Sequence, residues 1–171
     1  HPRLCKLSRG LGDVYKRQVR RRIEIIPTPK AVTIWLNDRK LGPYGPDLRQ
    51  VTLPAGKVRM TFRNDACCFT KVVTIEAGAV PPEVMHVKLP WKPGRVRVEV
   101  RPPGVAADVV LGSTVGTAGQ VLEVPIPSYS KNGRTRGDLK VSAAGYATEQ
   151  RRVTVRANTT TRVVVELKRL P

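Results

Sequence analysis

Side chains able to carry chemistry are few in this sequence, and their spacing does not gather them into a reactive centre. Two histidines occur, His1 and His86. In Val84-Met85-His86-Val87-Lys88-Leu89 the imidazole alternates with apolar residues, so on a strand it shares a side with Val84 and Lys88 and faces solvent. Cys67 and Cys68 are adjacent. Neighbours on a strand point to opposite faces, so one buried and one exposed thiol is expected, with the redox state open. A zinc centre needs four ligands at suitable spacing, and no such set occurs; no metal and no cofactor are expected. The stretch Gly112-Ser113-Thr114-Val115-Gly116-Thr117-Ala118-Gly119 is glycine-rich but follows neither GxGxxG nor GxxxxGK. No helical period follows it, so a sheet-edge loop is expected rather than a phosphate cradle. Phosphoryl transfer also needs a charge-neutralising Lys and metal-holding Asp or Asn in characteristic strings, and these are missing. No catalytic residue is assigned, and the chain is expected not to be an enzyme.

Binding chemistry has better candidates. Val32, Ile34 and Leu36 take one face of a strand and leave Trp35 on the other with Thr33. A tryptophan there is large enough to anchor a partner or a sugar ring, or else it packs against Trp91 or the neighbouring domain. The second candidate group is Tyr129 with the basic tip around Lys131, Arg134 and Arg136, in a long stretch over 125–137 read as a loop. Both groups are candidate partner contacts.

The charge balance points to the kind of partner. The 171 residues carry 31 Lys and Arg against 13 Asp and Glu, a net charge of +18. Residues 1–22 alone hold 8 basic residues and 1 acidic. Elsewhere Arg alternates with apolar residues, as in Arg95-Val96-Arg97-Val98-Glu99-Val100-Arg101, which is how one solvated sheet face reads. Such a surface attracts anionic polymers without base-specific contacts. Nucleic-acid binding would call for a concentrated basic groove interleaved with aromatics. Scattered Arg and an aromatic content of 5% make it the alternative; a protein or an anionic envelope polymer is the leading partner. No apolar run approaches the roughly 18–20 residues of a membrane-spanning helix.

The elements that must position these residues emerge when the chain is overlaid on itself. Ile23-Glu24-Ile25-Ile26-Pro27 overlays Val98-Glu99-Val100-Arg101-Pro102. Val32, Ile34 and Leu36 overlay Ala107, Val109 and Leu111, and Gly42 falls near Gly116. Val58, Met60 and Phe62 match Leu139, Val141 and Ala143; Val73-Thr74-Ile75 matches Val153-Thr154-Val155. Met85, Val87 and Leu89 match Val163, Val165 and Leu167. Each unit reads as short alternating strands between turn residues, so the expected fold is all-β: two tandem small antiparallel β-sandwich domains, each closing on a terminal hairpin. The predicted domains span 21–90 and 95–171. Pro90, Pro93 and Gly94 interrupt ladder pairing and mark a linker over 91–94, with Trp91 covering a domain end. Residues 1–20 stand apart as a disordered or artefactual leader, because Asp13-Val14-Tyr15-Lys16-Arg17-Gln18 resembles a translated sequencing adapter. The chain is expected to be a fragment of a longer protein.

The repeat resembles the PEGA family of small bacterial β domains. The pieces that match are Ile25-Ile26-Pro27, Val32-Thr33-Ile34-Trp35-Leu36-Asn37-Asp38 and Leu53-Pro54-Ala55-Gly56-Lys57 in the first unit. In the second they are Val100-Arg101-Pro102-Pro103-Gly104, Gly137-Asp138-Leu139-Lys140, Gly145-Tyr146 and Val163-Val164-Val165-Glu166-Leu167. Asn37-Asp38-Arg39 departs from the family pattern in lacking a turn glycine, and Cys67-Cys68-Phe69 stands where Gly-aromatic is usual. The combination is also similar to the C-terminal region of myxobacterial-type serine/threonine protein kinases. The resemblance implies a non-catalytic binding or spacer module, bacterial and at the cell envelope, extracytoplasmic if the parent protein is anchored in the membrane.

Overall fold

Alternation of apolar and polar or charged residues is the pattern that builds the sheets. In Val58-Arg59-Met60-Thr61-Phe62-Arg63, the apolar side chains are buried and both arginines exposed; in Val96-Arg97-Val98 the same pattern recurs. The computed structural model describes residues 21–171, and among them there are strands, turns and loops but no helix. The expected leader lies outside the described residues. Two units form: residues 21–64 and 70–89 make unit 1, and residues 65–69 and 90–171 make unit 2.

Unit 1 holds β1 (Arg21–Thr28), β2 (Thr33–Leu36), β3 (Arg39–Pro43), β4 (Gln50–Leu53), β5 (Val58–Arg63), β6 (Lys71–Ile75) and β7 (Val84–Lys88). Unit 2 holds β8 (Gly94–Arg101), β9 (Asp108–Leu111), β10 (Thr114–Thr117), β11 (Val121–Val124), β12 (Arg134–Ser142), β13 (Glu149–Arg156) and β14 (Thr160–Glu166). Unit 1 pairs them as β4-β1-β7 and β3-β2-β5-β6; unit 2 as β11-β8-β14 and β10-β9-β12-β13. The two topologies are the same, strand for strand. Each unit buries the inner faces of its two sheets, with Ile25, Ile34, Met60 and Phe62 in one core and Val96, Val109, Leu139 and Val155 in the other.

The register corrects part of the overlay. Ile23 pairs with Val51 where Val96 pairs with Leu122, so Ile23 corresponds to Val96 and not to Val98. Leu36 pairs with Met60 where Leu111 pairs with Leu139, so Met60 corresponds to Leu139. Both slips are two residues long. A two-residue shift keeps every side chain on its own face, so alternation alone cannot detect it.

Three further expectations are revised. The last two strands of each unit do not form a hairpin: β13 pairs with β12, and β14 crosses to lie parallel to β8. In unit 1, β7 runs parallel to β1. Only the four-stranded sheets are wholly antiparallel, because a strand that returns through a crossover can join the opposite sheet in parallel. The stretch 91–94 is not a free linker. Trp91 bridges Cys68, Lys92 N–H donates to the Cys67 carbonyl at 2.9 Å, and Gly94 opens β8. Finally, the glycine-rich stretch is a hairpin and not a loop. Leu111 pairs with Thr114 around a two-residue turn in which Gly112 adopts φ +59°.

Candidate functional site

Trp35 lies on the outer face of the β3-β2-β5-β6 sheet, as its parity predicts. It pairs with Lys40 on one side and Thr61 on the other, and is half-buried. The Lys40 ammonium sits 5.9 Å from the ring centroid, within range of a cation–π attraction. Beside the ring is a shallow depression lined by Asn37, Asp38, Arg59, Thr61, Arg63 and Thr70. The turn that forms one wall needs a residue with φ > 0, and Asn37 (φ +53°) supplies it where unit 2 uses Gly112. Asparagine tolerates that region, so this turn forms without a glycine. Its Oδ1 accepts from the Arg59 N–H at 3.0 Å, and the Arg59 guanidinium pairs with Asp38 at 3.1 Å.

The second group is placed differently from expectation. β12 begins at Arg134, so Arg134 and Arg136 stand on a strand and not on a loop tip. The connection before it is tied down. Ser130 Oγ accepts from Arg134 N–H at 3.1 Å and donates to the Arg134 carbonyl at 2.9 Å. Trp91 Nε1 donates to the Ser130 carbonyl at 2.9 Å, and the Gly133 carbonyl accepts from Ala157 N–H at 2.8 Å. Gly133 (φ +68°) is required twice over, since a Cβ there would lie 2.9 Å from the Trp91 ring. Trp91 therefore covers an end of unit 2. Tyr129 (80% exposed) and Lys131 project from this anchored connection.

From the start of β12, a basic face runs along the outer side of the β10-β9-β12-β13 sheet. Arg134, Arg136 and Lys140 alternate on β12, and Arg152 and Arg156 on β13. Arg134 sits directly opposite Arg156, Arg136 opposite Thr154, and Asp138 opposite Arg152, with which it forms an ion pair at 3.7 Å. With Asp108 on β9, this face carries five cations against two carboxylates. Like charges facing each other across strands are destabilising, so the sheet does not need the Arg134–Arg156 pair to fold. The outer face of the other sheet of unit 2 is nearly balanced. Arg95, Arg97, Arg101 and Arg162 are matched there by Glu99, Glu123 and Glu166.

Glu99 accepts a hydrogen bond from Arg162 on that balanced face. This bond, helped by the charges of Arg162, Arg97 and Arg101, holds the Glu99 carboxyl below its ordinary value of 4.5 despite some desolvation. A lowered carboxyl stabilises the fold above its unfolded titration, and that contribution is lost as pH falls through the lowered midpoint. Arg162→Ala is expected to move the Glu99 midpoint up towards 4.5, read by carboxyl NMR titration. The thermal stabilities of variant and parent are then expected to differ near neutrality and to converge below the parent's Glu99 midpoint.

Sequence reasoning named Arg134 and Arg136 but missed Arg152, Arg156 and Lys140. Their signal was present, because Arg152, Thr154 and Arg156 alternate with buried Val153 and Val155. What was lacking was the pairing register that sets them beside β12. The cysteines also differ from expectation. Cys67 and Cys68 are joined to each other in a disulfide, Cys68 fully buried and Cys67 half-buried. Residues 65–67 form a turn, so strand alternation does not apply to them. His86 is exposed, as its parity predicts. Among the described residues, no group of three or more His, Cys, Asp or Glu is placed to hold a metal ion, and no helix is long and apolar enough to cross a membrane.

The fold defines an all-β protein of two sandwich-like units. No family model matches the chain, and no curated protein matches it in sequence. Among solved structures it is loosely similar to the TIE protein of Bacillus anthracis, at 11% identity and a TM-score of 0.37 over 87% of this chain and 33% of that one. It is also similar to GBS52, the minor pilin of Streptococcus agalactiae, at 15% identity and a TM-score of 0.27 over 77% of this chain and 67% of that one. The chain thus spans a third of the length of the TIE protein. At these scores neither neighbour carries a role to this chain.

Proposed function

We propose that this chain is a non-catalytic, PEGA-like binding and spacer module that engages an anionic polymer at a bacterial cell envelope, as part of a larger protein such as a serine/threonine kinase. The observation that carries the reading is the charge asymmetry of unit 2: one outer face bears five cations against two carboxylates, and the other is almost neutral. A protein partner would call for buried aromatic or apolar anchors at the centre of the patch. Here the cations repeat along two strands, and the exposed aromatic Tyr129 stands at the end, before β12 begins. That arrangement suits a chain of repeated negative charge. The duplicated topology, with short strands closing on paired sheets, suits a stiff spacer that repeats one small unit.

The test is a titration of the full chain with polygalacturonate, duplex DNA and neutral dextran at about 50 and 200 mM salt. Polygalacturonate is expected to bind, with affinity falling at least about ten-fold between the two salts, while dextran does not bind. Failure of both polyanions to bind would overturn the proposal. DNA binding tighter than polygalacturonate by about ten-fold or more would favour the nucleic-acid alternative instead.

A further inference from the structure

We propose that the Cys67–Cys68 disulfide is a thiol-sensitive latch. Closed, it anchors the stretch that carries Trp91; opened by a dithiol reductant, it loosens the connection leading to the basic face of unit 2. The latch stands on its own geometry, and only its effect on binding rests on the function proposed above.

Residues 65–69 join β5 to β6 along the chain, yet they belong to unit 2. Cys68 bridges Trp91. On either side of that bridge, Phe69 N–H donates to the Pro90 carbonyl at 2.8 Å and Lys92 N–H to the Cys67 carbonyl at 2.9 Å. The Asn158 amide donates to the Ala66 carbonyl at 3.1 Å, and the Lys92 ammonium to the Asp65 carbonyl at 3.1 Å. Trp91 passes the restraint on. Its Nε1 holds the Ser130 carbonyl, its ring packs against Gly133, and β12 opens at the next residue, Arg134.

The same bridge occurs a second time, without a disulfide. Tyr146 bridges Arg169, Ala147 N–H donates to the Lys168 carbonyl at 2.8 Å, and Leu170 N–H to the Gly145 carbonyl at 3.0 Å. Cys67-Cys68 therefore stands where the second bridge has Gly145-Tyr146. There Gly145 supplies φ +81° and Tyr146 packs on the unit 2 core, so the anchor is permanent. Cys68 has no aromatic to offer. Its anchor is the bond to Cys67, which closes a small ring around one peptide bond and takes torsional freedom from both residues. A bridge of this kind does not need a disulfide, and opening this one removes the anchor while leaving every sheet pairing in place.

The two sulfurs differ in access. Cys68 is fully buried and Cys67 half-buried, so an incoming thiolate meets the Cys67 sulfur. It bonds to Cys67 Sγ, the Sγ–Sγ bond breaks, and Cys68 leaves as a thiolate that takes up the proton the reductant lost. The second thiol of the reductant then attacks the mixed disulfide, frees Cys67 as a thiol and closes the reductant's own disulfide. Two electrons pass from the dithiol to the protein, and two thiols replace one cystine.

The experiment follows amide hydrogen exchange in the full chain before and after reduction with dithiothreitol. Phe69 and Lys92 are expected to exchange at least about ten-fold faster once reduced, while Ala147 and Leu170, at the bridge without a disulfide, stay within about two-fold. Cys67→Ser/Cys68→Ala, which keeps Cys5 as its sole cysteine, is expected to exchange like the reduced parent with or without the reductant. If that variant fails to fold, the parent comparison carries the test alone. A smaller acceleration at Phe69 and Lys92, or one shared by Ala147 and Leu170, overturns the latch. Polygalacturonate affinity at about 50 mM salt is expected to fall at least about three-fold on reduction. Equal affinity in both states overturns the control of the basic face. Absence of binding in the oxidised chain counts against the proposed function instead, and exchange at Phe69 and Lys92 then decides the latch.

Discussion

Gly94→Ala is expected to destabilise unit 2 by about 3 kcal/mol, the upper part of the range for forcing extra volume into a packed site. Gly94 opens β8 and is buried against the end of β13. A Cβ at this position would stand 2.2 Å from Val155 Cγ1 and 2.7 Å from the Arg156 carbonyl oxygen. Neither neighbour moves easily. Val155 is fully buried, and the Arg156 carbonyl accepts from Thr159 Oγ1 at 2.9 Å while its strand pairs with β12. For a unit of this size the loss corresponds to a fall of about 10–20 °C in the melting temperature of unit 2. Gly45→Ala is the control. Open space surrounds Gly45, and its substitution is expected to change stability by less than about 0.5 kcal/mol. In unit 1 the register puts Arg21 at the position of Gly94, so the close approach belongs to unit 2 and not to the topology as such. A Gly94→Ala protein melting like its parent would mean that β8 does not press against β13 as described.

The second large effect is on binding. Arg134→Glu/Arg136→Glu/Arg156→Glu reverses the three cations clustered where β12 begins and β13 ends. Binding through counterion release weakens steeply with each neutralising contact removed, and reversal adds repulsion to that loss. Polygalacturonate affinity at low salt is expected to fall by about 100-fold or more, and the salt dependence of the residual binding to flatten. Stability is expected to stay within about 0.5 kcal/mol of the parent, because all three side chains are exposed. The measurement is a salt-dependent titration beside a thermal melt. Unchanged affinity in a folded variant would remove the basic face from the account.

How much of this was legible in the sequence depends on which physical quantity is asked for. Facing direction was legible, because Val58, Met60 and Phe62, or Val96 and Val98, alternate with charges that cannot be buried alone. The same parity placed Trp35 and His86 on outer faces before any coordinates. Partner choice was not legible. Nothing local in Val163-Val164-Val165 says that it pairs in parallel with β8, 65 residues away, rather than with the adjacent β13. Translation along a strand was also hidden, which is why the repeat overlay slipped by two residues at Ile23 and at Met60.

The candidate sites follow the same division. The Trp35 face was visible from alternation, but its neighbours Arg59, Arg63 and Lys40 come from two other strands and depend on register. The connection before β12 looked like a loose polar tip because its fastening is non-local: Ser130 is held by Trp91, 39 residues earlier in the chain. The joined cysteines were missed because a turn replaced the strand that alternation assumed.

The most direct measurement is a map of backbone amide shifts during titration of the full chain with polygalacturonate at low salt. The account predicts that the largest shifts fall on β12 and β13, at Arg134, Arg136, Lys140, Arg152 and Arg156, while β8, β11 and β14 stay quiet. Shifts spread evenly over both outer faces of unit 2, or confined to β8 and β14, would contradict it.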